Sequence, residues 1–110
     1  MSNVNINFEQ GSISFSIPAG RIDYKGNTSI QLFSHVSELG TFNIIKKKDN
    51  GMQISYNYFD KGICCLEQDA SILDNDDEHN VLITWSLKEG KIILFIDGKK
   101  VKEEDIEKLS

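Results

Sequence analysis

The chain has 110 residues, a length that predicts one domain spanning residues 1–110. Its residues are 39% hydrophobic and 26% charged, which is typical of a soluble globular protein and argues against a disordered chain. Its 17 acidic residues against 12 Lys and Arg give a formal net charge of -5, which disfavours a nucleic-acid or anionic-membrane surface. No apolar run approaches the length needed to span a membrane, and the residues near Met1 do not resemble a signal peptide, because polar residues interrupt every apolar pair. We expect a cytoplasmic protein as the chain is written, or an extracellular one if it is a domain excised from a secreted protein.

Alternating apolar and polar residues predict β-strands from the start of the chain. Residues 12–17 alternate Ile or Phe with Ser, which is typical of a half-buried antiparallel strand. Residues 3–8 alternate Asn with apolar residues, so we expect a separate N-terminal strand that reverses at Gln10-Gly11. Turn-forming residues then predict a loop over residues 19–28.

The middle of the chain predicts four more strands, at residues 30–35, 41–46, 52–59 and 63–67. Asp49-Asn50-Gly51 is a strong hairpin signal, and the Lys46-Lys47-Lys48 run before it is expected to be a solvated hairpin end.

The strand at residues 52–59 separates two kinds of side chain. Its alternation places Met52, Ile54, Tyr56 and Tyr58 on one face and Gln53, Ser55 and Asn57 on the other. The first set favours core packing, with the phenol tips of the two tyrosines at the rim.

The clearest signal is the stretch His79 to Val101, which reads H-N-V-L-I-T-W-S-L-K-E-G-K-I-I-L-F-I-D-G-K-K-V. Two alternating strands are separated by a short loop, and Asp97-Gly98 then reverses the chain because both residues tolerate the positive φ of a type I′ turn. An acidic loop at residues 74–78 precedes it. After it, acids early in the segment and the spacing of Ile106 and Leu109 predict a short C-terminal helix over residues 102–109.

Short strands separated by turns every ~8–12 residues predict an all-β, antiparallel β-sandwich. The hairpin resembles the "H-x-V-A-V-T-W … G … L-Y-V-D-G-x-x-V" hairpin of laminin-G-like domains, in the concanavalin A-like lectin/glucanase superfamily. Residues 11–17 resemble the family's early "T-I-S-F-W-V" strand, residues 32–34 its "L-F-S" strand, and residues 101–109 its closing "L-S-x-E-E-I-x-x-L" segment. The resemblance implies a jelly roll, shorter than is usual in the family, with an exposed sheet edge that invites a homodimer.

This family includes lectins, hydrolases and adhesion modules, so function is decided by the site. We expect a non-catalytic binding module with carbohydrate as the preferred ligand. Its candidate residues are Tyr24, Tyr56, Asn57 and Tyr58, because tyrosine rings stack on sugar faces and amides bind hydroxyls. The alternative is a protein-interaction or assembly module that uses an exposed sheet edge or face and takes no small ligand.

An enzyme is the third hypothesis. Glucanases of the resembled superfamily carry E-x-D-x-E on a strand, and Glu103, Asp105 and Glu107 spell this pattern. On the expected helix these carboxylates diverge, so catalysis is not expected there.

Metal and thiol chemistry is weakly indicated. The acidic loop offers oxygen ligands for calcium but lacks the EF-hand glycine, since His79 occupies the sixth position, so we expect a solvated loop and no cofactor. Adjacent Cys64 and Cys65 point to opposite faces of a strand and are expected to be two buried thiols. His35 and His79 are expected to be structural or surface histidines.

Overall fold

The computed structural model describes residues 7–17, 29–47, 51–69 and 78–108. These residues form nine strands and no helix. The strands are β1 (Gln10–Ile17), β2 (Ile30–Val36), β3 (Gly40–Lys46), β4 (Gly51–Tyr58), β5 (Gly62–Asp69), β6 (His79–Ser86), β7 (Lys91–Ile96), β8 (Lys99–Asp105) and β9 (Glu107–Lys108).

The strands form two sheets that pack face to face as a sandwich. The four-stranded sheet has the order β1-β6-β7-β8, and the five-stranded sheet has the order β2-β3-β4-β5-β9. All strand pairs are antiparallel. The all-β sandwich that the sequence predicts is therefore confirmed, and so are the strands expected within residues 12–17, 30–35, 41–46, 52–59 and 63–67.

A single hydrophobic core fills the space between the sheets, and it follows from the period-2 alternation of the strands. Burying one such aliphatic or aromatic side chain contributes about 1.5–3 kcal/mol relative to leaving it in water. The side chains with no exposed surface include Phe42, Ile44, Met52, Ile54, Leu66, Val81, Ile83, Ile92 and Leu94.

The central hairpin forms as predicted. Residues of β6 and β7 pair from Val81 with Ile96 to Ser86 with Lys91. Asp97 and Gly98 have φ values of 54° and 82°, which are the two positive values that a type I′ turn requires. This turn brings β8 back along β7, so a local sequence signal specifies the pairing of these two strands in the four-stranded sheet.

The C-terminal helix predicted over residues 102–109 is wrong in the part of that segment that the structure describes. Residues 99–105 form β8 on the open side of β7, and Glu107–Lys108 form β9 beside β5. The sheets offer backbone partners that an isolated two-turn helix lacks. Ile106, at the crossing between the two sheets, is 5% exposed, so the crossing also seals the core.

The predicted reversal at Gln10-Gly11 is also wrong, because both residues lie within β1. A side chain at Gly11 would place its Cβ 2.8 Å from the Trp85 ring, so glycine is needed here for close packing and not for a turn. The predicted N-terminal strand falls mostly outside the described residues. Phe8, at its end, is buried in the core.

The sandwich has two ends. At the first, which we call the turn end, residues 7–9 lie beside the β2–β3, β4–β5 and β6–β7 turns. At the second, which we call the loop end, β1 ends at Ile17, β3 ends at Lys46, β6 begins at His79, and the Asp97-Gly98 turn joins β7 to β8.

Candidate functional site

The three described residues of the predicted sugar-binding set do not share one exposed surface. Tyr56 is 1% exposed and its hydroxyl donates a hydrogen bond to the Phe8 carbonyl, so this ring is part of the core. Tyr58 is half-buried on the same inner face and stacks on Phe8, with 5.5 Å between ring centroids. Asn57 points to the opposite, outer face of the five-stranded sheet. Tyr24 lies outside the described residues.

The aromatic residues of the turn end form a structural plug. Phe8 contacts Tyr56 and His35 with ring centroids 5.9 and 6.0 Å apart, and Phe42 contacts Trp85 at 4.8 Å. Residues 7–9 tie this plug to both sheets through their carbonyls. The Trp85 indole donates to the Asn7 carbonyl at 2.7 Å, and the Leu87 amide donates to the Glu9 carbonyl at 2.7 Å.

Burial raises the pKa of the Tyr56 hydroxyl above its ordinary value, and the nearby Tyr58, Cys64 and Glu9 add to the shift. The phenol therefore stays protonated and keeps its hydrogen bond to the Phe8 carbonyl. Tyr56 anchors the N-terminal segment through this hydrogen bond, and its buried ring has no exposed face on which a sugar could stack.

The loop end carries a histidine–carboxylate pair. His79 Nδ1 lies 2.6 Å from Asp97 Oδ2, and the Asn80 amide donates to Asp97 Oδ1 at 2.9 Å. The Asn80 hydrogen bond and the His79 contact hold the pKa of Asp97 below its usual range. His79 is 7% exposed, so of the structural and surface roles expected for this histidine the structure supports the structural one.

The same end corrects the expectation for the lysine run. Lys46 is fully buried, because its place in β3 points it between the sheets, and it is not part of a solvated hairpin end. Lys47, one residue on, points outward and forms an ion pair with Glu67 at 3.0 Å.

The cysteines do face opposite ways, as predicted, but only one of them is buried. Cys64 lies against the core, and burial raises its pKa to about 11, with the acidic residues Glu104 and Asp105 adding to the shift. Cys65 is exposed and accepts a hydrogen bond from the Gln53 amide at 3.0 Å. Within the described residues, neither thiol is hydrogen-bonded to a histidine, so the geometry shows no activated nucleophile.

The E-x-D-x-E carboxylates do not line one strand. Glu103 lies on β8 in the four-stranded sheet, whereas Glu107 lies on β9 in the other. Glu103 accepts hydrogen bonds from Lys91 at 2.9 Å and Lys100 at 3.3 Å, and these hold its pKa below the usual range. A carboxyl group kept ionised in this way is unsuited to the general-acid role of a glycosidase.

The calcium-binding hypothesis falls largely outside the described residues, since of the acidic loop only Glu78 is described. Across the described ranges, no group of three or more His, Cys, Asp or Glu side chains could hold a metal ion. The same ranges contain no helix long and apolar enough to cross a membrane.

The outer face of the five-stranded sheet carries a group of neutral polar side chains, which we call the polar face. Its members are Thr41 and Asn43 on β3 and Gln53, Ser55 and Asn57 on β4. Thr41 lies opposite Asn57, and Asn43 lies opposite Ser55. Asn43 accepts a hydrogen bond from Ser34 at 2.8 Å, and Gln53 bonds to Cys65. Within the described ranges, the side chains of Thr41, Ser55 and Asn57 make no hydrogen bond.

Sequence reasoning found half of this surface. The alternation of β4 already separates Gln53, Ser55 and Asn57 from the core-facing residues. The contribution of β3 was missed, because only the register between the two strands shows that Thr41 and Asn43 stand beside them.

The turn end of the five-stranded sheet also exposes three large apolar side chains, which sequence reasoning missed. Val36 is 72% exposed, Leu39 60% and Phe59 43%. Leu39 and Phe59 are neighbours, because the Phe59 amide donates to the Leu39 carbonyl at 3.0 Å. Their signal in the sequence is an apolar residue set directly beside turn-forming ones.

No protein-family model matches the chain, and no curated protein or solved structure matches it either.

Proposed function

We propose that this chain is a non-catalytic binding module whose ligand is carbohydrate, held on the polar face. The observation that carries the proposal is the unused hydrogen-bonding capacity of Thr41, Ser55 and Asn57 at adjacent positions on two strands. Side chains in this state exchange hydrogen bonds with water, and a ligand rich in hydroxyl groups can replace that water.

The chemistry of the polar face suits sugars better than charged ligands. Its hydroxyl and amide groups each donate and accept, as sugar hydroxyls do, and none of the five side chains carries a charge. Ile45 and Ile63 flank the polar face and offer apolar surface to sugar C–H groups. The Lys47–Glu67 ion pair borders the surface at its loop-end side.

The topology of the sandwich supports the same function. β1 pairs with β6 and β5 pairs with β9, so chain segments distant in sequence join each sheet after the chain has crossed the sandwich. We infer that this arrangement is a short jelly roll of the concanavalin A-like kind, in keeping with the resemblance of the hairpin to laminin-G-like domains. Such sandwiches include lectins among other functions, so the fold raises the expectation of sugar binding without deciding it.

The test is a glycan-array screen with and without calcium, followed by calorimetric titration of any sugar that binds. Replacing both Ser55 and Asn57 by Ala removes side-chain hydrogen bonds worth about 0.5–1.5 kcal/mol each, so we expect affinity to fall about tenfold or more. The matched control replaces Ser12 and Ser14 by Ala on the outer face of the other sheet, and it should bind as the parent does.

A blank array would overturn the proposal, and so would equal losses in both double variants. Sugar binding lost in Tyr24→Ala but kept in the polar-face variant would instead move the site to the tyrosine outside the described residues. A requirement for calcium would point to the acidic loop.

A second candidate function, assembly through a sheet edge, is favoured by a separate observation. β1 pairs on one side only among the described residues, and its sequence contains no charged residue.

A further inference from the structure

The four outer strands of the two sheets differ in how their open edges are protected. Soluble proteins protect such edges with charged side chains, bulges or very short strands, because unpaired backbone groups recruit other strands. In β8, six of the seven residues are charged. β2 has a register shift at Leu32, and β9 has only two residues.

β1 has none of these protections. Its eight residues pair with β6 in one continuous register from Gln10 to Ile17, with no bulge. It has no charged residue and no proline. Among the described parts of the chain, its other side has no paired strand. A long, uncharged edge without a bulge is a template for strand addition.

We propose that the edge of β1 pairs with β1 of a second copy of this chain, antiparallel and across a two-fold axis, to give a continuous eight-stranded sheet. The proposal is independent of sugar binding. It commits to a second copy because the β1 sequence is complementary to itself.

Pairing centred on Ser14 shows this complementarity. Ile13 of one copy then lies opposite Phe15 of the other on the inner face, while Ser12 lies opposite Ser16 on the outer face. Shifting the register by two residues in either direction still sets apolar residues against apolar ones and serines against serines. No register places like charges together, because the strand carries none.

A heterologous contact between β1 and β8 of another copy is less favourable. It would strip water from the lysines and acids of β8 and set them against serines and isoleucines. It would also leave a free β1 on one copy and a free β8 on the other, so the assembly would continue without closing. The two-fold pairing covers the β1 edge of both copies and gives a closed dimer.

A groove beside β1 supports the same contact. A groove of about 480 Å³ opens between β1 and β2, and its apolar lining includes Phe15, Leu32 and Phe33. Pairing of two β1 edges would set the grooves of the two copies against each other and cover these rings. The joined edges and grooves lie at the low end of interface sizes, near or below about 1,200 Å², so we expect dissociation in the micromolar range.

The experiment is sedimentation velocity of the full chain over a concentration series up to about 500 µM, a range that spans micromolar dissociation constants. The parent should rise from 12.4 kDa toward twice that mass. Ser14→Lys should weaken self-association at least tenfold, because two lysines then face each other at the centre of the joint. Thr84→Lys is the control, since Thr84 lies on the same outer face, opposite Ser12, but on the interior strand β6.

Mixing Ser14→Lys with Ser14→Glu separates the two-fold joint from other contacts. Each variant alone should associate at least tenfold more weakly than the parent, and the mixture should form a heterodimer more tightly than either variant self-associates, because residue 14 faces residue 14 of the other copy only in this pairing. Circular dichroism of each variant confirms that it is folded.

A parent mass that stays at 12.4 kDa throughout would overturn the proposal. Self-association lost in Thr84→Lys but kept in Ser14→Lys would also overturn it, in favour of a face-to-face contact. A mixture that fails to associate, although the parent dimerises, would exclude the two-fold register.

Discussion

The two ends of the core are closed by different chemistry. At the turn end, Phe8, Tyr56 and Trp85 form an aromatic plug, and their polar atoms are satisfied by backbone carbonyls. At the loop end, the buried polar side chains among the described residues are Lys46 and His79, and His79 is held by Asp97. The turn end therefore depends on packing and on one neutral phenol, whereas the loop end depends on the carboxylate of Asp97, whose pKa is lowered. This difference predicts that the two ends respond to different mutations and to opposite extremes of pH.

The largest effect is expected at the turn end from Gly40→Ala. The new Cβ would lie 2.1 Å from the backbone oxygen of Asn57, so β3 and β4 would have to separate. We expect a loss of about 3 kcal/mol or more in the free energy of unfolding, as for severe overpacking, measured by urea denaturation.

Gly98→Ala at the loop end is the matched control. No atom lies within 4 Å of its new Cβ, and only the positive φ of 82° opposes it, at a cost of about 1–2 kcal/mol. Equal losses in the two variants would contradict the tight packing assigned to the turn end.

Tyr56→Phe should be the next largest effect. It leaves the Phe8 carbonyl without its donor inside the plug, which costs about 1–3 kcal/mol. Tyr58→Phe should change stability little, because within the described residues the Tyr58 hydroxyl makes no hydrogen bond. If thermal unfolding shifts equally in both variants, the hydroxyl of Tyr56 does not fasten the N-terminal segment.

The turn end should also be the end that alkali weakens. The pKa of Tyr56 is raised in the folded protein, so the unfolded chain loses this proton first, near the ordinary value of 10.0. Its contribution to stability is complete below about pH 10 and is lost progressively as the pH rises above that value toward the raised pKa of the folded protein. Thermal unfolding of Tyr56→Phe should therefore depend less on pH between about 9 and 11 than that of the parent. An unchanged slope would contradict this assignment.

Acid should weaken the loop end. The pKa of Asp97 is lowered from 3.8 in the folded protein by the Asn80 amide and by His79. Its contribution to stability is therefore present above about pH 4 and is lost as the pH falls through the folded value. Asp97→Asn should flatten the melting temperature between about pH 5 and 3, since an amide does not titrate and asparagine tolerates the φ of 54°. A variant that keeps the full slope would assign the acid sensitivity to other carboxylates.

The smallest effect is a change in thiol reactivity that reports on opening of the turn end. Cys64 lies opposite Tyr56, and in a Cys65→Ser background its slow alkylation should require local opening, because its thiol is buried and has a pKa of about 11. Adding Tyr56→Phe should accelerate this alkylation, whereas adding Asp97→Asn should leave it unchanged at neutral pH. Equal acceleration by both changes would show that the two ends open together.

Much of the fold was readable from local patterns. The alternation of residues 12–17 and of the His79 hairpin predicted strands, faces and the positive-φ turn, because neighbouring residues alone decide which side of a strand is apolar. For the C-terminal segment the local pattern gave the wrong prediction. Its charges suited a helix face equally well, and the choice was made by the open edge of β7.

The candidate site was readable only in part, for the same reason. Sequence identified Tyr56 and Tyr58 as residues with sugar-binding chemistry but could not tell that Phe8 would cover them. It identified Asn57 and its outward neighbours on β4 but not their partners on β3, whose position depends on the register between the strands.

The sequence by itself determined the all-β class, the strand faces and the Asp97-Gly98 turn, since these depend on the period-2 spacing and on local backbone preferences. Only the tertiary structure decided which edges stay open, which polar residues share a surface, and that Lys46 is buried while Cys65 is exposed. Those outcomes depend on contacts between residues far apart in the chain. Strand pairing and sheet packing make these contacts, and neither is encoded at any one position.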